Sequence, residues 1–238
     1  MEKSTIKTIM ESDNKSLAQE YAELLIARIT HSSMSLEKDL GNIDDSKNAI
    51  RFRDNMKAFK CLLAKLYQQE DLTEETIIQV ADMINESSPY VSRGYRTRGD
   101  YITDTNIPIS SATNIPMDMN LLLRKHKEAT ENQHLNPFIR EAIFHMDFIR
   151  IHPFEDGNGR TGRLLLNYNL LKEGIAPVII TDDLTEYYQS YIKNQDIEGM
   201  ANLFSIQSKK EQGVVEQLLM LNDMKEEQTE IEIPTKRR

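Results

Sequence analysis

The sequence predicts an all-α protein broken by one weak β-hairpin. Three observations carry that expectation. Apolar residues recur at three- and four-residue spacing over most of the chain. Capping residues or prolines stand where helices begin, and a glycine followed by a proline marks one clear stop. Strand-like pieces are confined to a single stretch rich in Pro, Gly, Ser, Thr and Asn.

Taken in order, Leu17, Tyr21, Leu24, Leu25, Arg28 and Ile29 mark one face of a first helix. It starts after the capping types Asn14 and Ser16, and a break follows at Gly41-Asn42. A long helix is expected from about Lys47 to Gln69, with Ile50, Phe59, Leu62, Leu63 and Leu66 inward and Cys61 buried among them as a small hydrophobe. Thr73, followed by two glutamates, opens a helix carrying Ile77, Val80, Ala81 and Ile84. Pro116 and Asn136-Pro137 start two more, because proline's missing N–H is no loss in a first turn. The second of these carries Phe138, Ala142, Ile143 and Met146. The run Leu164-Leu165-Leu166, with Leu170 and Leu171, forms the next; Gly174 closes it and Pro177 prevents its continuation. Thr181 and two aspartates start a short helix with Tyr187, Tyr188 and Tyr191, and Val214, Val215, Leu218 and Leu219 mark a last one. Beyond Met224 apolar residues run out, so the end through Lys236-Arg237-Arg238 is expected to be a frayed or disordered, solvated tail. The expected organisation is an N-terminal helix (1–44), a core domain (45–207), and a C-terminal helix with a flexible tail (208–238).

The exception lies between Ser87 and Ile115, with prolines at 89 and 108 and glycines at 94 and 99. Tyr101-Ile102-Thr103 and Asn106-Ile107-Pro108-Ile109 read as two short extended pieces. A long loop of this kind in a compact domain is often functional.

Composition narrows the function. A 39% hydrophobic and 28% charged chain is globular, and no stretch has the apolar length needed to span a bilayer or form a signal peptide. One cysteine excludes an internal disulfide framework, which fits a cytoplasmic setting. A net charge of −9 argues against nucleic acid as a partner, and no membrane partner is expected.

The chemistry concentrates in Ile151-His152-Pro153-Phe154-Glu155-Asp156-Gly157-Asn158-Gly159-Arg160-Thr161-Gly162-Arg163. Glycines on either side of Asn158 let successive N–H groups turn toward one concavity. The helix that follows points its N-terminus there, where unpaired N–H groups and the macrodipole favour an anion. Arg160 and Arg163, three apart, share a helix face within reach of a polyphosphate. Histidine at 152 suits a base near neutral pH, and Asp156 offers a hard oxygen for Mg²⁺. No Gly-Lys-Ser/Thr follows the glycines, so this is not a Walker-type loop. The other histidines (His31, His126, His134, His145) have no comparable neighbours and no zinc-helix spacing, and read as surface or structural.

The string resembles the signature of the Fic family, His-x-Phe-x-(Asp/Glu)-Gly-Asn-Gly-Arg-x-x-Arg, at every specified position from His152 to Arg163. The resemblance implies a Fic-fold helical bundle with a small β-hairpin flap. It implies a protein adenylyltransferase that moves AMP from MgATP to a Ser, Thr or Tyr hydroxyl of a protein target, the chain itself included. In that scheme His152 takes the hydroxyl proton and Asp156 holds Mg²⁺. Asn158 and the amides of Gly157 and Gly159 stabilise the α-phosphoryl oxygens, while Arg160 and Arg163 contact the β- and γ-phosphates. Tyr187 and Asn194, two turns apart, are candidates for the adenosine, with Tyr188 or Tyr191 able to serve instead. The flap, Ile102 and Thr103 with Ile107 and Pro108, would dock the target by main-chain pairing.

The resemblance also implies regulation. Ser33 and Glu37 match an inhibitory motif, Ser/Thr-x-x-x-Glu-Gly/Asn, near the N-terminus, where Glu37 would compete with the γ-phosphate for Arg163. Lys38 departs from the usual Gly or Asn. Three other readings remain open: transfer of a different phosphate-containing group, removal of AMP with Glu37 orienting water, and a quiet nucleotide-binding interaction module. A homo-oligomer is compatible with all of them.

Overall fold

The computed structural model describes residues 15–36, 46–100, 102, 107–132 and 134–231. Among them are eight α-helices: α1 (Lys15–Ser35), α2 (Ser46–Tyr67), α3 (Glu74–Ile84), α4 (Ile115–Glu131), α5 (Pro137–Ile151), α6 (Asn158–Lys172), α7 (Thr185–Asn194) and α8 (Ile197–Ile231). Two single 3₁₀ turns, Ala112–Asn114 and Asp182–Leu184, lead into α4 and α7.

Local chemistry sets the boundaries. Thr73 Oγ1 accepts the Thr76 N–H at 3.2 Å and starts α3, and Asn136 Oδ1 accepts the Phe138 N–H at 2.8 Å and starts α5. Gly174, at φ +73°, ends α6. Its N–H reaches Leu171 O at 2.9 Å and the Ile175 N–H reaches Leu170 O at 2.9 Å, the paired bonds of a Schellman stop.

Helix α6 is the axis of the molecule, packed by α1, α2, α3 and α5. Its side chains from Arg160 to Leu171 are all buried. Leu164, Leu165, Tyr168 and Leu171 join one core with Phe59, Leu62 and Phe148, while Leu166 and Leu170 join a second with Tyr188, Met200 and Phe204. A helix buried on all sides must partner its polar residues internally. Asn167 pairs with the backbone of Val178, accepting its N–H at 2.7 Å and donating to its carbonyl at 3.0 Å. Asn169 donates to Glu141 Oε2 at 2.8 Å. Glu141, fully buried, also takes His126 Nε2 at 2.7 Å and Arg140 Nε at 2.9 Å. The hydrogen bonds from His126, Asn169 and Arg140 hold its carboxyl below the usual range against the burial that would raise it.

Helix α1 docks through Leu17, Tyr21, Leu25, Ile26 and Ile29. Arg28 pairs with Glu211 of α8 at 2.8 Å, and Tyr21 OH lies 3.4 Å from the same carboxylate. Burial pushes the Glu211 carboxyl up, opposed by Arg28. Near its end, Ser32 Oγ donates to Ile180 O at 2.5 Å.

Several expectations need correction. Leu24, Ile50 and Ile143 share the predicted apolar faces but are exposed, at the edges of stripes whose centres suffice for the core. Cys61 is half-buried. No strand occurs among the described residues, so the expected hairpin is not seen there; Tyr101 and residues 103–106, Thr103 included, lie outside them. Just beyond it, Ser110 N–H donates to Arg150 O at 3.3 Å, and Pro108 has no N–H to pair. Helix α8 runs unbroken past residue 208 and past Met224, as far as Ile231. Val215, Leu218 and Leu219 pack its middle on the core, and beyond Met224 the helix continues without an apolar face, because Glu, Gln and Lys are good helix formers; Gln212 Nε2 also donates to Glu216 Oε1 at 3.0 Å.

Candidate active site

His152 ends α5 in the left-handed region, φ 50° and ψ 60°, with its N–H on Phe148 O at 3.1 Å. A non-glycine residue there carries strain of about 1–3 kcal/mol and turns the chain sharply out of the helix. The imidazole is 16% exposed, and its Nε2 lies 3.4 Å from Asp100 Oδ2. Burial, the largest influence, pushes its pKa below the ordinary histidine value, with Asp100 acting in the opposite sense. The shift favours the free base at neutral pH.

The loop that follows is tied down by its own side chains. Asn158 Oδ1 accepts the Phe154 N–H at 2.9 Å, and its Nδ2 donates to Phe154 O at 2.8 Å. Phe154 itself is buried against Phe148 and Tyr95. Gly157 caps α6 at φ +80°; a Cβ there would sit 3.1 Å from Ile84 Cγ2 and 3.2 Å from Asn85 Nδ2. Asn85 Nδ2 donates to Asp156 O at 2.9 Å. The glycine is therefore required both by φ and by the close approach of α3.

Asp156 lies beside the α6 N-terminus. Its Oδ1 accepts the Gly157 N–H at 2.6 Å and pairs with Arg160 Nη2 at 3.0 Å; Oδ2 is 3.6 Å from Arg51 Nη2 of α2. The carboxylate is 41% exposed and open to a ligand on its outer side. No group of three or more His, Cys, Asp or Glu among the described residues converges as a metal cage. A single hard carboxylate beside a phosphate cradle nonetheless fits Mg²⁺, which commonly takes one or two carboxylates and completes its shell with water and phosphate.

The two arginines, adjacent on α6, end on different neighbours. Arg160, 1% exposed, turns to Asp156. Arg163 crosses to α1 instead, where Nε donates to Ser33 Oγ at 2.8 Å and Nη2 to Ser33 O at 2.7 Å. Its guanidinium also lies over the Tyr188 ring, 5.8 Å from the centroid, with Nη1 at 3.4 Å from Tyr188 OH. Tyr188 OH meets His145 Nε2 at 2.7 Å. His145 is pushed down to about 3, first by burial and then by Arg163, and so stays neutral. Gly162 allows this packing, because a Cβ would stand 3.1 Å from both His145 Cε1 and Phe148 Cδ1.

The structure thus brings His152, Asp156, Gly157, Asn158, Gly159 and Arg160 together around one helix end, with Ser33 on Arg163. Tyr187 is 60% exposed, whereas Tyr188 is the tyrosine that touches Arg163. Asn194 Nδ2 donates to Ser190 Oγ at 3.1 Å, within its own helix. Glu37 lies outside the described residues. Ile102 and Ile107 line a groove of about 160 Å³ with Ile143 and Met146, and Pro108 borders a cavity of about 350 Å³ between its segment, α4 and α5.

Sequence reasoning missed Arg51, Asn85, Arg96 and Asp100, and gave Tyr188 only as a substitute. Each stands far from the signature in sequence and carries no local marker. The one available signal was Asp100 beside Gly99, in a segment too polar for a helix.

Residues 71–170 match the model of the Fic/DOC family. A protein adenylyltransferase Fic of Drosophila melanogaster is 31% identical over 139 residues, covering 57% of this chain and 27% of that protein. This chain therefore spans only about a quarter of the curated relatives it matches. Among solved structures, a Fic domain containing signaling protein from Bacteroides thetaiotaomicron superposes with a TM-score of 0.70 at 20% identity, over 92% of this chain and 95% of the other. Fic-1 from C. elegans gives 0.65 at 16% identity, over 90% and 68%. These likenesses show the fold. No described helix is long and apolar enough to cross a membrane.

Proposed function

We propose, on the match of residues 71–170 to the Fic/DOC family model, that this chain is a protein adenylyltransferase, moving AMP from MgATP to a hydroxyl side chain of a protein. The observation that carries this reading is a largely buried histidine, its Nε2 3.4 Å from Asp100, four residues before an aspartate at the N-terminus of a buried helix.

The reaction places the triphosphate over Gly157-Asn158-Gly159, where the α6 N-terminus favours negative charge. His152 Nε2 accepts the proton of the target hydroxyl as its oxygen attacks the α-phosphorus. The bond from the α-phosphorus to the bridging oxygen breaks, and pyrophosphate leaves. Asp156 would hold Mg²⁺, which supplies charge neutralisation on the phosphates. Arg160 stays beside Asp156 and faces the β-phosphate. The loop amides stabilise the charge that develops on the α-phosphoryl oxygens. Asn158 contributes mainly by holding the loop, since its amide is bound to Phe154. Tyr188, buried against Arg163 and His145, braces that guanidinium, so Tyr187 and Asn194 stay the candidates for the adenosine.

Helix α1 holds the enzyme back. Ser33 engages Arg163 with both hydroxyl and carbonyl, so the guanidinium is turned from the γ-phosphate until this grip opens. Glu37, four residues further in the sequence, would add a carboxylate to the same competition.

Labelled ATP tests the reaction. Adenylyl transfer retains label on protein from the α position and none from the γ position, with pyrophosphate released. Retention from the γ position would make the chain a kinase, and retention from neither would favour a quiet module.

A further inference from the structure

We propose that Arg96 is a positioning residue for His152: its buried guanidinium fastens both feet of the flap segment to the end of α5, and so sets where a target hydroxyl meets the base. The proposal rests on the adenylyl-transfer reading above.

Arg96 is 2% exposed. Its Nε donates to His152 O at 2.6 Å and its Nη2 lies 3.4 Å from Ile151 O. Nη1 donates to Arg98 O at 2.7 Å, and Nη2 to Ser110 O at 2.5 Å. The Arg96 main-chain N–H donates to Pro153 O at 2.9 Å. One side chain thus binds the carbonyls on either side of the segment from 99 to 109 and the last carbonyls of α5.

Two physical points make this more than packing. First, His152 holds a left-handed backbone conformation that its own side-chain type does not favour. Its carbonyl points away from the helix ladder, and Arg96 Nε takes it up. Second, among the described residues the hydrogen bonds of this buried guanidinium all go to carbonyls. A planar fork of five donors can meet four carbonyls from three directions, and the negative end of the α5 dipole offsets its charge. A lysine ammonium, a point charge with three donors, cannot reproduce that fork.

The consequence concerns register. Ile102 and Ile107 lie between Arg98 and Ser110, the two residues whose carbonyls Arg96 holds. A target segment laid along the flap is therefore referenced to His152 through a single guanidinium. The charged groups facing His152 are Asp100, Arg96 and Asp156, and among these Arg96 alone acts to lower its affinity for a proton.

The test uses the full chain with Arg96→Lys, which keeps the charge and loses the fork, and Arg96→Gln, which loses both. Three quantities are read: ATP affinity by calorimetry, self-labelling from α-labelled ATP, and the His152 imidazole signals by NMR across a pH titration. For Arg96→Lys we expect ATP affinity within about threefold of wild type and labelling slower by roughly ten- to a hundredfold, the scale of a misplaced reacting group. Its His152 signals should shift at fixed pH while its titration midpoint stays near that of wild type. Arg96→Gln should in addition move the His152 midpoint upward. An unchanged labelling rate in Arg96→Lys, or unchanged His152 signals, overturns the proposal. So does a fall in ATP affinity that matches the fall in rate. If Arg96→Gln does not fold, Arg96→Lys decides alone. If wild type transfers nothing from ATP, the functional reading fails, while the His152 signals still judge the positioning role.

Discussion

Ser33 and Arg163, separated by 130 residues, are joined by two hydrogen bonds on one guanidinium, at 2.8 Å to the serine hydroxyl and 2.7 Å to its carbonyl. Removing the hydroxyl leaves the carbonyl contact, so Ser33→Ala should raise self-labelling only a few-fold. A hydrogen bond to a charged group contributes about 1.5–3 kcal/mol. If Glu37 makes such a pair with Arg163, Glu37→Gly should raise the rate by roughly ten- to a hundredfold. Initial rates with α-labelled ATP decide both. An unchanged or lower rate for Glu37→Gly, with circular dichroism intact, refutes inhibition by that residue and leaves the catalytic assignment untouched.

His152→Ala should abolish transfer and spare nucleotide binding, because the base acts on the target hydroxyl and not on the phosphates. Calorimetry with ATP, run beside the transfer assay, checks this. A loss of ATP affinity comparable to the loss of rate would remove His152 from the role of base.

The acid limb of the rate profile reports His152. The base works when deprotonated, and burial lowers its pKa, so activity should persist below pH 6.5, the ordinary histidine value. Asp100 raises that pKa; Asp100→Asn should therefore shift the acid limb further down. The profile of initial rate against pH measures the shift, and movement in the opposite direction would mean that Asp100 is not the carboxylate coupled to this histidine.

His145 makes a separate prediction about stability. Its folded pKa, about 3, is below its ordinary 6.5, so the unfolded chain binds the extra proton between those values. Stability from this group is complete above pH 6.5 and is lost as pH falls toward 3. The slope is about 1.4 kcal/mol per pH unit over that window. Urea unfolding at a series of pH values should show it, and His145→Phe should flatten it. An equal slope in the variant would assign acid sensitivity to other buried groups, Glu141 first among them.

The helices were legible because their caps and periodicities are local: Thr73, Asn136 and Gly174 act on their immediate neighbours. The signature loop was legible for the same reason, as His152, Asp156, Gly157 and Gly159 lie within eight residues. What escaped was set by tertiary contact. Nothing in the sequence around Arg51 or Arg96 shows that one reaches Asp156 and the other the end of α5. Tyr187 and Tyr188 differ only in the side of α7 they occupy, a rotation that sequence spacing leaves undetermined. The flap was expected to pair as strands, and no strand occurs among the described residues, where Pro108 offers no ladder donor. Asn158 was expected at the phosphate, but its amide has the geometry to close its own loop.

The pairing of Arg28 with Glu211 bears on how α1 would release Arg163 under the proposed inhibition. Those residues rivet α1 to α8 five positions before Ser33, about 7.5 Å along the axis at 1.5 Å per residue. The tip beyond them is seated as well: Ser32 Oγ donates to Ile180 O, Gln189 Nε2 to Leu36 O, and Met34 and Leu36 are buried. Freeing Arg163 by the proposed route therefore means unseating an apolar plug, so a loss of packing at Met34 or Leu36 would loosen the latch as surely as a loss of its polar contacts.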